Sequence, residues 1–341
     1  MSSSVDAVPR SLVFGLDDGP GLRRTGHKRF RYRDDVTGEP VEDPATMARI
    51  RALAVPPAWV DVWISADPCC HLQATGRDAR GRKQYRYHPD FRAHREDAKF
   101  DQLVPFAAQL PQLRRRVAED LGRRGLPFER VTALIVALLD ETFIRIGNEE
   151  YVRANRSFGL TTLRDRHVQM QGTTLHLRFA GKGAKVHAVD VGDRRLARLI
   201  LRCQDLPGQV LFQYVEEDQT RAVRSSDVNE YLREATGLDV TAKTFRTWGA
   251  STLAASGLAA APCSPGAAER QHLANEVLRG VAEVLNNTLA VCRRSYVHPR
   301  LLADFQDGSF ADRWRASSGR GSSELSVDER RLAHYLAAGT R

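Results

Sequence analysis

The chain has 341 residues, of which 42% are hydrophobic and 27% charged, a composition typical of a folded globular protein and not of a disordered one. No run approaches the roughly 18 apolar residues that a membrane-spanning helix needs, and the opening MSSSVDAVPRSLVFG lacks the regions of a signal peptide, which predicts a cytoplasmic protein. Lysine and arginine total 51 against 42 acidic residues, and the net charge of +9 favours a polyanionic partner.

The first part of the chain predicts a small β-rich domain over residues 1–90. Strand patterns occur at residues 29–33 and 60–64, and a helix is predicted over residues 44–54 between them. Basic and aromatic residues then crowd together over residues 77–92. This segment is a candidate contact surface for a polyanion.

Residues 91–341 predict a larger, mainly α-helical domain, so the expected fold class is α+β. Helical spacing of apolar residues is clear from about residue 97 onward, including a helix with Pro127 in its first turn. The one clear exception is 168–191, where alternating apolar residues predict a three-stranded antiparallel sheet with Lys182 in its second turn. Further on, 286–288 predicts a helix break and a new N-cap before Tyr296, and 317–323 a linker to a terminal helix.

Cofactor signals are absent from the sequence. The five cysteines form no CxxC pair and have no histidine spacing that would bind zinc. Residues 76–83 resemble a phosphate-binding P-loop only superficially, because Arg82 and Lys83 stand where lysine and serine or threonine are required. We therefore expect neither a metal nor a nucleotide cofactor.

Four segments carry candidate chemistry. They are Arg145-Ile146-Gly147-Asn148-Glu149-Glu150-Tyr151, Gly181-Lys182-Gly183, Lys243-Thr244-Phe245-Arg246-Thr247-Trp248-Gly249, and Asn287 followed nine positions later by Tyr296 in Arg293-Arg294-Ser295-Tyr296. In this order and spacing they resemble the catalytic motifs of the poxvirus-like and bacterial type IB DNA topoisomerases. Val55-Pro56-Pro57-Ala58-Trp59 and Gln84-Tyr85-Arg86-Tyr87 also resemble the amino-terminal domain of that family.

The resemblance implies a monomer that clamps double-stranded DNA and relaxes positive and negative supercoils without ATP or metal. It makes Tyr296 the nucleophile that forms a 3′-phosphotyrosyl intermediate, and Lys182 the general acid for the leaving 5′ oxygen. Arg145, Arg246 and Asn287 complete the implied catalytic set. DNA contacts are implied for Gln84, Tyr85, Tyr87, Tyr151 and Lys243.

The residue types suit this chemistry. A tyrosine hydroxyl has an ordinary pKa of about 10, so forming phenolate near pH 7 costs about 4 kcal/mol unless cations lower the pKa. Arg145 and Arg246 can supply that field, and their planar guanidinium groups can bind the non-bridging phosphate oxygens as charge develops. A covalent phosphotyrosine conserves the energy of the broken bond for resealing.

Asn287 departs from the family pattern, in which this position is usually histidine. An amide can donate a hydrogen bond to a phosphate oxygen, but it carries no positive charge and exchanges no proton near neutral pH. We therefore expect slower but intact chemistry. A plain helix cap is an equally acceptable interpretation of Asn287.

Two other functions remain open. A tyrosine recombinase shares the nucleophile chemistry, but usually has histidine three residues before its second catalytic arginine, where this chain has Lys243. A non-catalytic DNA-binding relative would keep the fold and lose part of the catalytic set.

Overall fold

The computed structural model describes residues 8–26, 29–172 and 174–339. Residues 1–7, part of the opening segment that bears on a signal peptide, lie outside the described residues. The chain forms two compact units, Met1–Ala98 and Lys99–Arg341. In the described part of the chain, every helix is too short or too polar to cross a bilayer.

The first unit is built on a five-stranded antiparallel sheet with the strand order β2-β1-β3-β4-β5. Its strands are β1 (Gly21–Thr25), β2 (Arg31–Asp34), β3 (Val60–Ser65), β4 (Leu72–Arg77) and β5 (Lys83–Tyr87). Helix α1 (Pro44–Ala52) starts at Asp43, whose carboxylate accepts a hydrogen bond of 2.7 Å from the amide of Thr46. The predicted β-rich amino-terminal region is confirmed.

The second unit is mainly helical, as predicted. Its helices follow α2 (Pro89–Asp101) and are α3 (Leu103–Leu121), α4 (Phe128–Thr142), α5 (Glu149–Asn155), α6 (Arg194–Gln204), α7 (Ser225–Thr236), α8 (Ala242–Ala260), α9 (Ala267–Val284), α10 (Leu289–Ser295), α11 (Pro299–Asp307), α12 (Phe310–Ala316) and α13 (Val327–Ala337). Two details of the prediction were wrong. Helical structure begins at Pro89 and not near residue 97, and Pro127 is the N-cap that precedes α4 and not a residue of its first turn.

The predicted three-stranded antiparallel sheet is present, with β7 between β6 and β8. Its strands are β6 (Val168–Gln171), β7 (Thr174–Ala180) and β8 (Val186–Val191). Lys182 lies in the turn that joins β7 to β8, as expected. The sheet is not the unit's one exception to helical structure, because β9 (Gln213–Glu216) and β10 (Gln219–Ala222) form a second, two-stranded sheet.

Helix α8 lies at the centre of the second unit and packs against α4, α9 and α13. Its contact with the end of α4 is close, because a Cβ atom at Gly249 would lie 2.1 Å from Cε1 of Phe143. Glycine therefore lets the backbone of α8 approach the ring of Phe143, which places Arg246, one helical turn earlier, beside the carboxyl end of α4.

The terminal helix α13 is tied to α8 through one buried carboxylate. Glu329 is 8% exposed and accepts a hydrogen bond of 3.0 Å from Nε1 of Trp248. Arg114 of α3 donates to both oxygens of Glu329, at 2.8 and 3.0 Å, and also forms a salt bridge with Asp140 of α4. These interactions satisfy every charge that the contact buries, which is the condition for a stable buried ion pair.

Candidate active site

Arg246 is the most buried cation of the predicted catalytic set, with 3% of its surface exposed. Its guanidinium donates to the carbonyl oxygen of Phe143 and, at 2.8 Å, to that of Leu285. These residues are the C-caps of α4 and α9, so the cation lies at the negative ends of two helix dipoles. Its Nε remains buried without a partner in the described structure.

Tyr296 lies against this guanidinium. Cζ of Arg246 is 5.0 Å from the centroid of the Tyr296 ring, and the tyrosine is 9% exposed. Ser251, which is fully buried in α8, donates from Oγ to the carbonyl oxygen of Tyr296 at 3.2 Å and accepts from the amide of His298 at 3.0 Å. Both the ring and the backbone of Tyr296 are thereby held against α8.

The pKa of Tyr296 is lowered from its ordinary value. Burial alone would raise it, because a phenolate loses hydration in the interior, but the field and hydrogen bond of Arg246 and the fields of Arg145 and Lys243 together outweigh burial. This is the direction required of a phenol that must act as a nucleophile near neutral pH.

Arg145 and Asn287 are joined directly by a hydrogen bond from Nη2 of Arg145 to Oδ1 of Asn287. The bond occupies the amide oxygen and so directs the amide nitrogen of Asn287 the other way. Nη1 of Arg145 and Nδ2 of Asn287 are both buried and have no partner among the described residues. Buried donors of this kind are costly unless a ligand satisfies them, which fits an anion-binding site.

The alternative interpretation of Asn287 as a helix cap is wrong. The N-cap of α10 is Thr288, whose Oγ1 accepts from the amide of Val291 at 3.3 Å. The predicted break between α9 and α10 is confirmed, and it frees the side chain of Asn287 for Arg145.

Lys182 and Lys243 are exposed, Lys182 in the β7–β8 turn and Lys243 in the first turn of α8. No contact joins Lys182 to Tyr296. The strand after the turn is nevertheless tied to the Asn287 loop, because Nδ2 of Asn286 donates to the carbonyl oxygen of Val186 at 3.0 Å. The structure therefore brings together Arg145, Arg246, Asn287 and Tyr296, and leaves the Lys182 ammonium free in solvent.

The predicted DNA-contact residues differ in solvent exposure. Tyr85 is 46% exposed and Tyr151 is 52% exposed, whereas Tyr87 is half-buried and packs near Phe91, with ring centroids 5.5 Å apart. The Tyr85 and Tyr87 rings stack with centroids 6.0 Å apart on one face of β5. The amide of Gln84 donates to the carboxylate of Asp78 at 3.1 Å.

Comparison with known proteins decides the family. Residues 88–315, more than half of the chain and including all five predicted catalytic residues, match the model of the eukaryotic DNA topoisomerase I catalytic core, and residues 29–78 match that of the bacterial DNA topoisomerase IB N-terminal domain. The DNA topoisomerase 1B of Acanthamoeba polyphaga mimivirus is 30% identical over 307 residues, which cover 86% of this chain and 89% of the viral protein. The chain belongs to the type IB DNA topoisomerase family.

A second relative, the DNA topoisomerase 1B of Vaccinia virus (strain Copenhagen), is 23% identical over 243 residues, 70% of this chain and 73% of the viral protein. Members of the type IB topoisomerase family are enzymes that act on double-stranded DNA, so the prediction of an isomerase is confirmed. Gln84, Tyr85 and Tyr87 fall between the two matched regions, 29–78 and 88–315, and their role stays a prediction.

Two residues beside the predicted catalytic set were missed from the sequence. Ser251 carries no sequence signal, because serine is common on helices and its role depends on a backbone carbonyl. His187 follows Lys182 by five positions and alternates with Val189 and Val191 in β8, so its inward orientation was accessible from the period-two pattern.

The contribution of Asn287, which replaces the histidine usual in the family, can be tested by substitution. We expect Asn287→Ala to slow single-turnover DNA cleavage by about a hundredfold, since one preorganised donor contributes about 10²-fold or more and Arg145 also loses its acceptor. Asn287→His, which restores the residue usual in the family, should cleave at least as fast as the unmodified enzyme. Cleavage by Asn287→Ala at the unmodified rate would show that the amide does not contact the reacting phosphate.

Proposed function

We propose that this enzyme relaxes supercoiled DNA of either sign by cutting one strand through Tyr296, forming a 3′-phosphotyrosyl intermediate, and resealing the break without ATP or metal. The observation that carries the proposal is the buried phenol of Tyr296 held 5.0 Å below the Arg246 guanidinium with its pKa lowered. Family membership supports the same reaction.

The hydroxyl of Tyr296 loses its proton to water, and Oη of the resulting phenolate attacks the scissile phosphorus while the bond from phosphorus to the 5′ oxygen breaks. The departing 5′ oxygen keeps the electron pair and takes a proton from the ammonium of Lys182, which leaves a free 5′ hydroxyl. Resealing is the reverse attack by that hydroxyl, so no external energy source is required.

Arg145, Arg246 and Asn287 would stabilise the charge that builds on the non-bridging oxygens. Each carries a buried N–H group without a partner in the described structure, at Nη1, Nε and Nδ2 respectively. Because these donors are already oriented before the phosphate arrives, little reorganisation is needed during the reaction. Lys243, exposed in the first turn of α8, would support the phosphate contact.

DNA binding would involve both compact units of a monomer, with residues 1–90 as the clamp domain. Tyr85 and Tyr151 are the most accessible of the predicted tyrosine contacts, while Gln84 and Tyr87 would contribute from β5. Contacts to phosphates are salt-sensitive, so a clamp that neutralises six phosphates should lose affinity with a slope of about 0.9 per phosphate in a log–log plot against salt. A flat salt response would contradict the clamp.

The function itself is tested by relaxation of positively and negatively supercoiled plasmid with EDTA present and ATP absent. We expect both to relax, and denaturant added during the reaction should trap protein covalently on one DNA strand. A requirement for added metal or ATP would contradict the proposed mechanism. DNA binding without any trapped adduct would instead indicate a non-catalytic member of the family.

A further inference from the structure

The turn that carries Lys182 rests on the ring of His187. In the β7–β8 register Phe179 pairs with His187, and their rings stack with centroids 4.9 Å apart and planes 2° apart. His187 is only 7% exposed. The imidazole is therefore a fixed, flat surface on the buried side of the hairpin.

Gly181 is in direct contact with that ring. A Cβ atom at Gly181 would lie 2.5 Å from Cδ2 and 2.6 Å from Nε2 of His187, well inside van der Waals contact. The backbone angles of Gly181, φ −94° and ψ −161°, are extended and open to any residue. The absent side chain thus reflects the space that His187 occupies, and not a special backbone conformation.

Two backbone hydrogen bonds close the β7–β8 turn next to the contact between Gly181 and His187. The amide of Gly181 donates to the carbonyl oxygen of Lys185 at 2.8 Å, and that of Ala184 donates to Gly181 at 3.1 Å. The position of Lys182, the residue after Gly181, consequently depends on where His187 holds the start of the turn.

His187 also lies near the other catalytic cations. Burial, together with the positive charges of Arg145, Arg246 and Lys185, lowers its pKa to about 4, so the ring is neutral at physiological pH. A neutral ring can pack near two arginines without adding a third positive charge. No step of the proposed cleavage reaction uses this buried histidine.

We infer that His187 is a positioning residue that supports the turn so that the ammonium of Lys182 reaches the leaving 5′ oxygen. The inference rests on the proposed function, in which Lys182 is the general acid. His187 acts through the shape of its ring and touches no reacting atom.

The test measures single-turnover cleavage of two duplexes, one with the ordinary 5′ oxygen and one with sulfur at that bridging position. A thiolate is a much better leaving group than an alkoxide and departs without a proton, so the sulfur duplex bypasses the general acid. We expect His187→Ala to cleave the ordinary duplex about 10² times more slowly, within the range that general acid catalysis contributes. On the sulfur duplex it should match the unmodified enzyme.

A further variant distinguishes the shape of the His187 ring from a chemical role of its nitrogen atoms, and another serves as the control. His187→Phe keeps a flat ring against Phe179 and Gly181, so it should restore most of the rate on the ordinary duplex. The matched control is His176→Phe on β7, since His176 is paired with Asp190 at the exposed face of the same sheet. It should cleave both duplexes at the unmodified rate.

A double-mutant cycle tests the contact itself. Gly181→Ala should slow cleavage of the ordinary duplex in the unmodified background, because its methyl group collides with the ring, and should add little to His187→Ala. Independent, multiplicative effects of the two substitutions would overturn the inferred contact.

Four other outcomes are decisive. Equal loss by His187→Ala on both duplexes would mean general structural damage, and a His187→Phe variant as slow as His187→Ala would mean that a ring nitrogen matters; either overturns the positioning role. Failure of the sulfur duplex to rescue Lys182→Ala would overturn the general acid assignment and this inference with it. If the unmodified enzyme forms no adduct with either duplex, the proposed function itself fails.

Discussion

Replacing Tyr296 with phenylalanine should reduce DNA cleavage below detection while DNA binding is retained. Only the hydroxyl is removed, so the ring keeps its place beneath Arg246 and the backbone keeps its hydrogen bond from Ser251. The neighbouring His298 is occupied in another role, because its Nδ1 accepts the amide of Arg300 at 3.2 Å as the N-cap of α11. Loss of a covalent nucleophile costs on the order of 10⁶-fold in rate.

The measurement is a labelled duplex trapped with denaturant, combined with plasmid relaxation in EDTA. Tyr214→Phe is a suitable control, since Tyr214 packs in the second unit against Phe128, with centroids 5.1 Å apart, and takes no part in the active site. This control should form the adduct normally. An adduct formed by Tyr296→Phe at the unmodified level would place the nucleophile elsewhere.

Arg246→Ala should have the second largest effect, a loss of about 10³-fold in the cleavage rate, the upper range for one oxyanion donor. The substitution removes a phosphate donor and also the main cation that lowers the pKa of Tyr296. Since phenolate is the attacking form, a higher pKa means less phenolate at any pH below it. The rising limb of the pH–rate profile should therefore move to higher pH.

This pH shift distinguishes a slower cleavage step from a loss of folded enzyme. Arg246→Ala also leaves the carbonyl oxygens of Phe143 and Leu285 without their donor, which costs about 1–3 kcal/mol for each unsatisfied group and should lower the melting temperature. Unfolding reduces the amount of active enzyme but does not move the pH profile. Arg233→Ala, on the exposed side of α7, should leave both the rate and the profile unchanged, and an unshifted profile for Arg246→Ala would contradict the role assigned to its charge.

The sequence identified those parts of the molecule that depend on local pattern. Alternation of apolar residues predicted the sheet around Lys182. The resemblance of the motifs to those of type IB topoisomerases predicted Arg145, Arg246, Asn287 and Tyr296, which the structure places in one cluster. The β9–β10 hairpin was missed because its strands are four residues long and mostly polar, which leaves little periodicity to detect.

The contacts of side chains with distant backbone groups could not be predicted from the sequence for a different reason. The acceptors of Arg246 are carbonyl groups 103 and 39 positions away, and a carbonyl has no residue type that marks it. Asn287 was open to two interpretations because an asparagine beside a helix start caps helices as readily as it binds a distant arginine. Only the fold decides which partner it meets.

The buried carboxylate of Glu329 limits where the chain can be truncated. The match to the catalytic-core model ends at residue 315, so an expression fragment designed on that match would stop before α13. Such a fragment would leave Arg114 with Asp140 alone and the indole N–H of Trp248 without its acceptor, two residues from Arg246. The last helix therefore belongs inside any minimal catalytic fragment, even though the match to the catalytic-core model ends before it.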